Sequence, residues 1–209
     1  MRSRQYAIMT IQAFKQAWAA AQQAVAANEK HFSELDAATG GDGDHGTAIV
    51  AAMNAIVKAD GDDYKTLIAN MAEQMESEVS GSTSTLYGSW LEGMAEAAPA
   101  TGEIDAATLA AMFEAGLEEI GFATNARIGG KTMMDALIPA TKALASAQAD
   151  GIPAMFAAAA EAARKGADAT CGMRATFGRA KNLGDRSIGP MDAGAASMAC
   201  IFMAFASAV

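Results

Sequence analysis

An all-α fold is predicted for this 209-residue chain by three features. Apolar residues recur at helical spacing through most of the sequence. Alanine is abundant and valine scarce, a balance that favours helix over strand. No stretch alternates apolar and polar residues in the way a half-buried strand requires.

The elements follow in order. Ile8, Ile11, Phe14, Trp18 and Ala21 form the first stripe and place a helix near 6–29. A second lies near 46–59. Leu67, Met71 and Met75 carry a third, near 63–79, and a fourth spans about 83–98. Leu109, Met112, Phe113, Leu117 and Ile120 define one near 105–121. Met134, Leu137, Ile138 and Leu144 define one near 131–148, followed by another near 152–175. Met198, Ile201, Phe202 and Phe205 mark the last, near 192–208, so eight helices are expected. Asp60-Gly61-Asp62-Asp63, Pro99-Ala100-Thr101-Gly102 and Asp150-Gly151-Ile152-Pro153 are short surface turns. No shift in composition and no repeat divides the chain, so residues 1–209 are expected to form a single domain.

Composition narrows the class. With 52% apolar and 19% charged residues, the chain is an ordinary globular one rather than a disordered one. Its net charge of −9, with no basic patch, argues against a nucleic-acid partner. An anionic ligand would need another source of positive charge, and a bound metal is the obvious one. Residues 193–209 carry no charge, but they fall short of a membrane span and lack a basic flank. A buried core helix is expected there, with no membrane anchor. Cys171 and Cys200 form no C-x-x-C pair and no signal peptide precedes them, which suits a reduced, cytoplasmic protein.

Four connections are Gly-rich yet carry specific polar residues: 36–47, 80–88, 124–135 and 178–194. Each abuts a predicted helix start, where free amides and partial positive charge suit an anion. The first is the most informative. Asp36, Asp42 and Asp44 fall within nine residues, separated by glycines and small residues, with His45 beside them. Glycine lets a chain turn tightly enough to aim successive side chains at one point. Converging carboxylates repel one another, and a hard cation such as Mg²⁺ relieves that. A single Asp here would be a turn or cap residue; three with a histidine favour a metal site. Residues 41–46 also fit G-x-G-x-x-G, but no strand precedes them, so a dinucleotide fold is rejected. The later ligands of a calcium-binding EF-hand loop are absent.

Ser82-Thr83-Ser84-Thr85 offers four hydroxyls before Leu86-Tyr87-Gly88, either as a phosphate cradle or as a helix cap with spare hydroxyls. Gly129-Gly130-Lys131-Thr132 ends like a Walker A loop, but Asn125 stands where the pattern needs glycine and no strand precedes it. Lys131 is left either to meet a phosphate or to be solvated. The stretch from Gly178 to Gly194 has the length and the arginines of a binding loop. A surface salt bridge with a helix cap at Asp192 is the plainer reading.

Taken together, Leu35-Asp36, Gly41-Asp42-Gly43-Asp44-His45-Gly46, Leu86-Tyr87-Gly88, Lys131-Thr132-Met133-Met134-Asp135 and the stretch from Gly178 to Gly194 resemble the nucleotide-binding (L) subunit of dihydroxyacetone kinase. The resemblance implies an eight-helix antiparallel barrel with a nucleotide, ATP or ADP, held by loops at one end. It implies that Asp36, Asp42 and Asp44 coordinate two Mg²⁺ ions. His45, Gly46, Thr47 and Ala48 would lie under the phosphates, with Ser82 and Thr83 bonding them. Met133 would pack near the adenine, and Arg179, Asp192, Ala193 and Gly194 would complete the pocket. Against the family pattern, one residue is added at Gly40-Gly41, Thr83 replaces serine, Ser84 and Gly130 replace glycine and aspartate, and Ala193 replaces proline.

The resemblance further implies that a short ketose sits on a separate sugar-binding subunit, so no catalytic group beyond the metal–nucleotide site is expected in this chain. Either ATP is the donor, or ADP stays bound and is rephosphorylated by a phosphotransferase-system protein. Erythrulose is an alternative ketose, a homodimer is left open, and a nucleotide-sensing regulatory module is the competing reading.

Overall fold

The structure, a computed structural model, describes residues 8–209. Among these are nine α-helices: α1 (Ile11–Ala27), α2 (Glu29–Ala38), α3 (His45–Lys58), α4 (Tyr64–Glu78), α5 (Ser82–Ala97), α6 (Ala106–Ala123), α7 (Met134–Ser146), α8 (Ile152–Ala169) and α9 (Ala193–Ala208). Two three-residue strands, β1 (Ile8–Thr10) and β2 (Glu103–Asp105), pair antiparallel with Met9 opposite Ile104.

Eight of the helices close a ring. α1 packs on α3, α3 on α4, α4 on α5, and so on through α9, which returns to α1. The ninth, α2, lies against α3 and α9. Most successive ring helices are joined by short connections, which make neighbours antiparallel; the exceptions are α1 to α3, which passes through α2, and α8 to α9, which runs from 170 to 192. An even ring of alternating helices starts α3, α5, α7 and α9 at one end and α1, α4, α6 and α8 at the other. Backbone bonds agree at the second end. Ile11 N donates to Gly102 O at 2.8 Å and Tyr64 N to Thr101 O at 3.0 Å, tying the starts of α1 and α4 to the stretch before α6.

Aromatic side chains fill the ring. Trp18 and Phe205 meet edge to face with centroids 4.9 Å apart, and Trp90 touches Trp18, Tyr87, Phe113 and Phe202. These rings come from α1, α5, α6 and α9, with Phe156 of α8 joining them, so a single cluster ties most of the ring together. Close approach of α5 and α6 depends on Gly116, where a Cβ would come within 2.6 Å of the Trp90 backbone oxygen. α9 is buried along nearly its whole length, as expected of a core helix. No helix among the described residues is long and apolar enough to cross a membrane.

Several sequence expectations are corrected. The helix placed at 6–29 begins in part outside the described residues; 8–10 are strand, and α1 starts at Ile11 behind a Thr10 cap. It also ends earlier, because Asn28 leaves helical geometry and its side-chain Nδ2 donates back to Ala24 O at 2.8 Å. The chain then resumes as α2, which raises the count from eight to nine. The expectation of no strand missed the β1–β2 pair. The helix expected from 131 begins at Met134, because Lys131 has a left-handed φ of 60°. The helix expected to 175 gives way after Ala169 to a short 3-10 turn.

Candidate functional site

The ends of α3, α5, α7 and α9 surround a cavity of about 290 Å³. Its lining includes Asp36, Asp44, His45, Ser82, Thr83, Met133, Arg179, Asp192, Ala193 and Gly194, so the four Gly-rich connections converge as their composition suggested. Four helix starts face this space, and their dipoles add partial positive charge to acidic surroundings.

Side-chain caps are unevenly shared between the two ends of the ring: three at the far end, where α8 has none, and one at the cavity end. At the far end, Thr10, Asp63 and Asp105 accept bonds from Ala13, Thr66 and Thr108 amides, closing α1, α4 and α6. At the cavity end, α3, α5 and α7 have no side-chain cap bond. The first amides of α3 and α5 remain available to a ligand, whereas those of α7 are spent, with Met134 N donating to Thr132 Oγ1 at 3.2 Å and Asp135 N to Thr132 O at 2.9 Å. α9 differs: Asp192 Oδ2 accepts from Ala195 N at 2.8 Å.

The acidic loop between α2 and α3 forms one wall. Oxygens of Asp36, Asp42 and Asp44 lie within 4.8 Å of one another. The backbone aims them: Gly41 N donates to Asp36 O at 2.9 Å and Gly43 N to Asp36 Oδ2 at 2.8 Å. A Cβ on Gly41 would overlap the Asp36 carboxylate, so the added glycine is what lets Asp36 fold back onto the loop. Asp42 also forms an ion pair with Arg179. The Arg179 guanidinium, and then Asp44, hold the Asp42 carboxyl below the usual range. Asp42 in turn pushes Asp44 up, the sign of two carboxylates crowded without enough positive charge. Three hard oxygen donors at this spacing fit a divalent cation of the Mg²⁺ type.

His45 stands at the start of α3, where its Nε2 lies 2.9 Å from Ser197 Oγ. Burial lowers its pKa, with Asp36 opposing, so the imidazole is held neutral and acts as an anchor between α3 and α9. Gly46, Thr47 and Ala48 do not line the cavity. Gly46 packs on the Glu29 carbonyl, Thr47 Oγ1 donates to Glu29 Oε1 at 3.0 Å, and Ala48 N is spent on Asp44 O. What α3 offers the cavity is its first amides rather than these side chains. Met133 is buried against Gly194, where an added Cβ would sit 3.3 Å from that of Met133. Asp192, half-buried, is pushed up to about 6 by burial.

Lys131 fits neither expectation. It is buried, and its Nζ donates to Thr170 O at 2.6 Å and Pro190 O at 2.5 Å. Asp135, also buried, accepts from Gly129 N at 2.5 Å and Thr132 N at 2.7 Å, which fixes the loop on either side. The 178–194 stretch contains a 3-10 segment, Arg179–Ser187, broken at Gly184. Sequence reasoning did not place Thr39, Gly41, Leu86, Tyr87, Phe177, Gly178 or Ala180 in the site, although all line it. Tyr87 and Leu86 lie one turn beyond Ser82-Thr83 on α5, a helical-spacing signal that was available. Phe177 had none beyond its place beside the Gly178 loop.

Comparison with known proteins identifies the family. The model for the DAK2 domain matches residues 39–207. The chain is 35% identical over 181 residues to the "PEP-dependent dihydroxyacetone kinase 1, ADP-binding subunit DhaL" of Listeria innocua, covering 85% of this chain and 86% of that one. It is 31% identical over 185 residues to the D-erythrulose kinase of Mycolicibacterium smegmatis, covering 85% of this chain but only 32% of that protein. Among solved structures, the dihydroxyacetone kinase of C. freundii in complex with AMP-PNP and Mg²⁺ superposes with a TM-score of 0.72 at 25% identity. That match takes in 100% of this chain and 36% of the kinase. The chain thus spans about a third of the longer kinases and most of the separate subunit. With the matched span reaching from the end of α2 to the last turn of α9, and the same helical fold in a solved relative, the chain belongs to the DAK2 domain family.

Proposed function

We propose that residues 1–209 form a single nucleotide-binding domain that serves as the ADP- or ATP-binding subunit of a dihydroxyacetone-type kinase. The observation that carries this is the meeting of the Asp36, Asp42 and Asp44 cluster, two of whose members line the cavity, with the open helix starts of α3 and α5. The kinase relatives support it by their names and by the extent of the match.

Asp36, Asp42 and Asp44 would hold Mg²⁺, two ions in this reading. When bound, Mg²⁺ neutralises the phosphates and orients the phosphoryl group to be transferred. Ser82 and Thr83, at the start of α5, donate to phosphate oxygens, as do the first amides of α3. His45 holds α3 against α9 so that those amides stay aimed inward. Met133 and the Asp192–Gly194 turn grip the base side, and Arg179 covers the phosphates. Phosphoryl transfer depends on positioning and charge neutralisation, so no protein nucleophile is required.

The acceptor would be a short ketose on a separate sugar-binding subunit. Dihydroxyacetone is favoured by the Listeria relative and erythrulose by the Mycolicibacterium one. Phe122 and Ile128 stand 80% and 55% exposed on the segment leading into Lys131–Met133. Apolar exposure next to the mouth suits a surface that a partner covers. The names of several relatives favour bound ADP recharged by a phosphotransferase-system protein, and a cytoplasmic setting goes with that donor. The deciding experiment is nucleotide retention by the purified chain, with Mg²⁺ and after chelation. Slowly released ADP that leaves on chelation supports the coenzyme role, and fast exchange of ATP and ADP supports a direct kinase. Absence of binding in both conditions removes the proposal.

A further inference from the structure

Lys131 is an unusual residue at its position. Its backbone is left-handed, with φ 60°, the conformation that glycine adopts freely and other residues do not. Two glycines precede it, yet the left-handed position itself carries a lysine. Its ammonium is buried at the cavity wall, and both acceptors that it reaches are neutral carbonyls, at Thr170 and Pro190. Burial lowers its pKa, with Asp192 and Asp135 near enough to oppose that, and a buried lysine whose hydrogen bonds all go to neutral groups is a costly way to brace a fold. Strained backbone of this kind persists where the surroundings over-determine it, often at a ligand clamp.

The bonds show what is being clamped. Lys131 sits on the segment carrying Thr132 and Met133. Thr170 lies just beyond α8, and its Oγ1 accepts from Asp192 N at 2.9 Å. Pro190 lies two residues before Asp192. Around the same point, Thr176 N donates to Gly130 O at 3.2 Å and Gly189 N to Cys171 O at 2.9 Å. The ammonium therefore ties the segment carrying Met133 to the stretch that leads into the Asp192–Gly194 turn, and Met133 packs directly on Gly194. The metal loop, Asp36 to Asp44, makes no bond to it.

We propose that Lys131 is a positioning residue for the nucleotide, whose ammonium holds the Met133 segment against the Asp192–Gly194 turn and so governs nucleotide release without contributing to metal binding. The inference rests on the nucleotide-binding reading above.

The test uses the full chain, with a fluorescent ADP analogue for dissociation rate, Mn²⁺ titration by electron paramagnetic resonance, and thermal melting. The variants are Lys131→Met, Lys131→Gly and Asp42→Asn. Both Lys131 variants are expected to release the analogue at least ten-fold faster while binding Mn²⁺ in the absence of nucleotide as the parent does. Lys131→Gly, which suits φ 60°, is expected to melt no lower than the parent, so its faster release cannot come from unfolding. Asp42→Asn is expected to lose Mn²⁺ binding. Unchanged release in both Lys131 variants overturns the inference, as does a parallel loss of Mn²⁺ affinity and melting temperature in both. A parent chain that binds neither Mn²⁺ nor the analogue defeats the nucleotide-binding reading itself, and the inference with it.

Discussion

Asp192 couples a cap to a titration. Its Oδ2 closes α9 through Ala195 N, yet burial holds its carboxyl near 6, above the ordinary value of 3.8. A carboxyl that is harder to ionise when folded makes the folded state bind more protons, so stability falls as pH rises from about 4 through about 6. The full effect is on the order of 3 kcal/mol at most. Asp192→Asn keeps an oxygen for Ala195 N and removes the charge. The nucleotide-free, chelated variant should therefore lose most of this decline in melts run from pH 4 to 7, and should melt higher than the parent at pH 7. Asp42 is the complementary case, since its carboxylate faces a cation rather than a cap. Asp42→Asn should weaken Mg²⁺-dependent ADP binding by at least about ten-fold with the helical circular dichroism unchanged. An unaltered affinity would remove Asp42 from the site. At this scale the sequence was informative where chemistry clustered: three aspartates and a histidine set among glycines point to a bound cation more readily than to a plain turn. It was uninformative for Lys131, because a buried lysine and a solvated one look alike until the partners, Thr170 and Pro190, 39 and 59 residues away, are in place.

Between elements, the junction of α2 and α3 decides whether the carboxylates converge. Gly41 leaves the space of its missing Cβ to the Asp36 carboxylate. Gly46 lets α3 pack on the Glu29 carbonyl, at a point where a Cβ would come within 2.5 Å of Ser33 Oγ. Gly41→Ala should turn Asp36 out of the loop. The expected result is a loss of Mn²⁺ affinity of about ten-fold or more with little change in melting temperature, because the strain falls on an exposed loop. A Gly41→Ala chain that melts like the parent and still binds Mn²⁺ normally would show that Asp36 is dispensable. α2 itself was hard to read from sequence because Phe32 is its one buried residue, which leaves no stripe to detect. The β1–β2 pair was hidden for another reason: three residues are too few to establish alternation, and the partners lie far apart in the chain. The remaining helices were legible from apolar residues at helical spacing or from the breakers that bound them, although α7 and α9 bury runs of consecutive residues rather than a single face.

For the whole molecule, closure of the ring rests on the aromatic cluster. Trp90 touches rings from α1, α5, α6 and α9, so its loss is felt across the barrel rather than at one contact. Trp90→Ala should cost about 3–5 kcal/mol in denaturant unfolding. A loss under about 1 kcal/mol would mean that the ring holds without its centre. The eight-membered barrel was expected from family resemblance; helical periodicity alone gives a count of helices but not their order around a ring.

The uneven capping of the two ends has a consequence for folding itself. A nucleotide seated on the open starts of α3 and α5 would act as one shared cap for two helices that are not neighbours in the ring. Without it, their first turns should fray as a group; with it, they should tighten as a group. Amide hydrogen exchange should then slow together at 45–47 and 82–84 when Mg²⁺ and ADP are added, while the start of α7, closed by Thr132, and the starts of α1, α4 and α6, closed by their own side chains, exchange as before. In that sense the ligand would be the last piece of secondary structure to form.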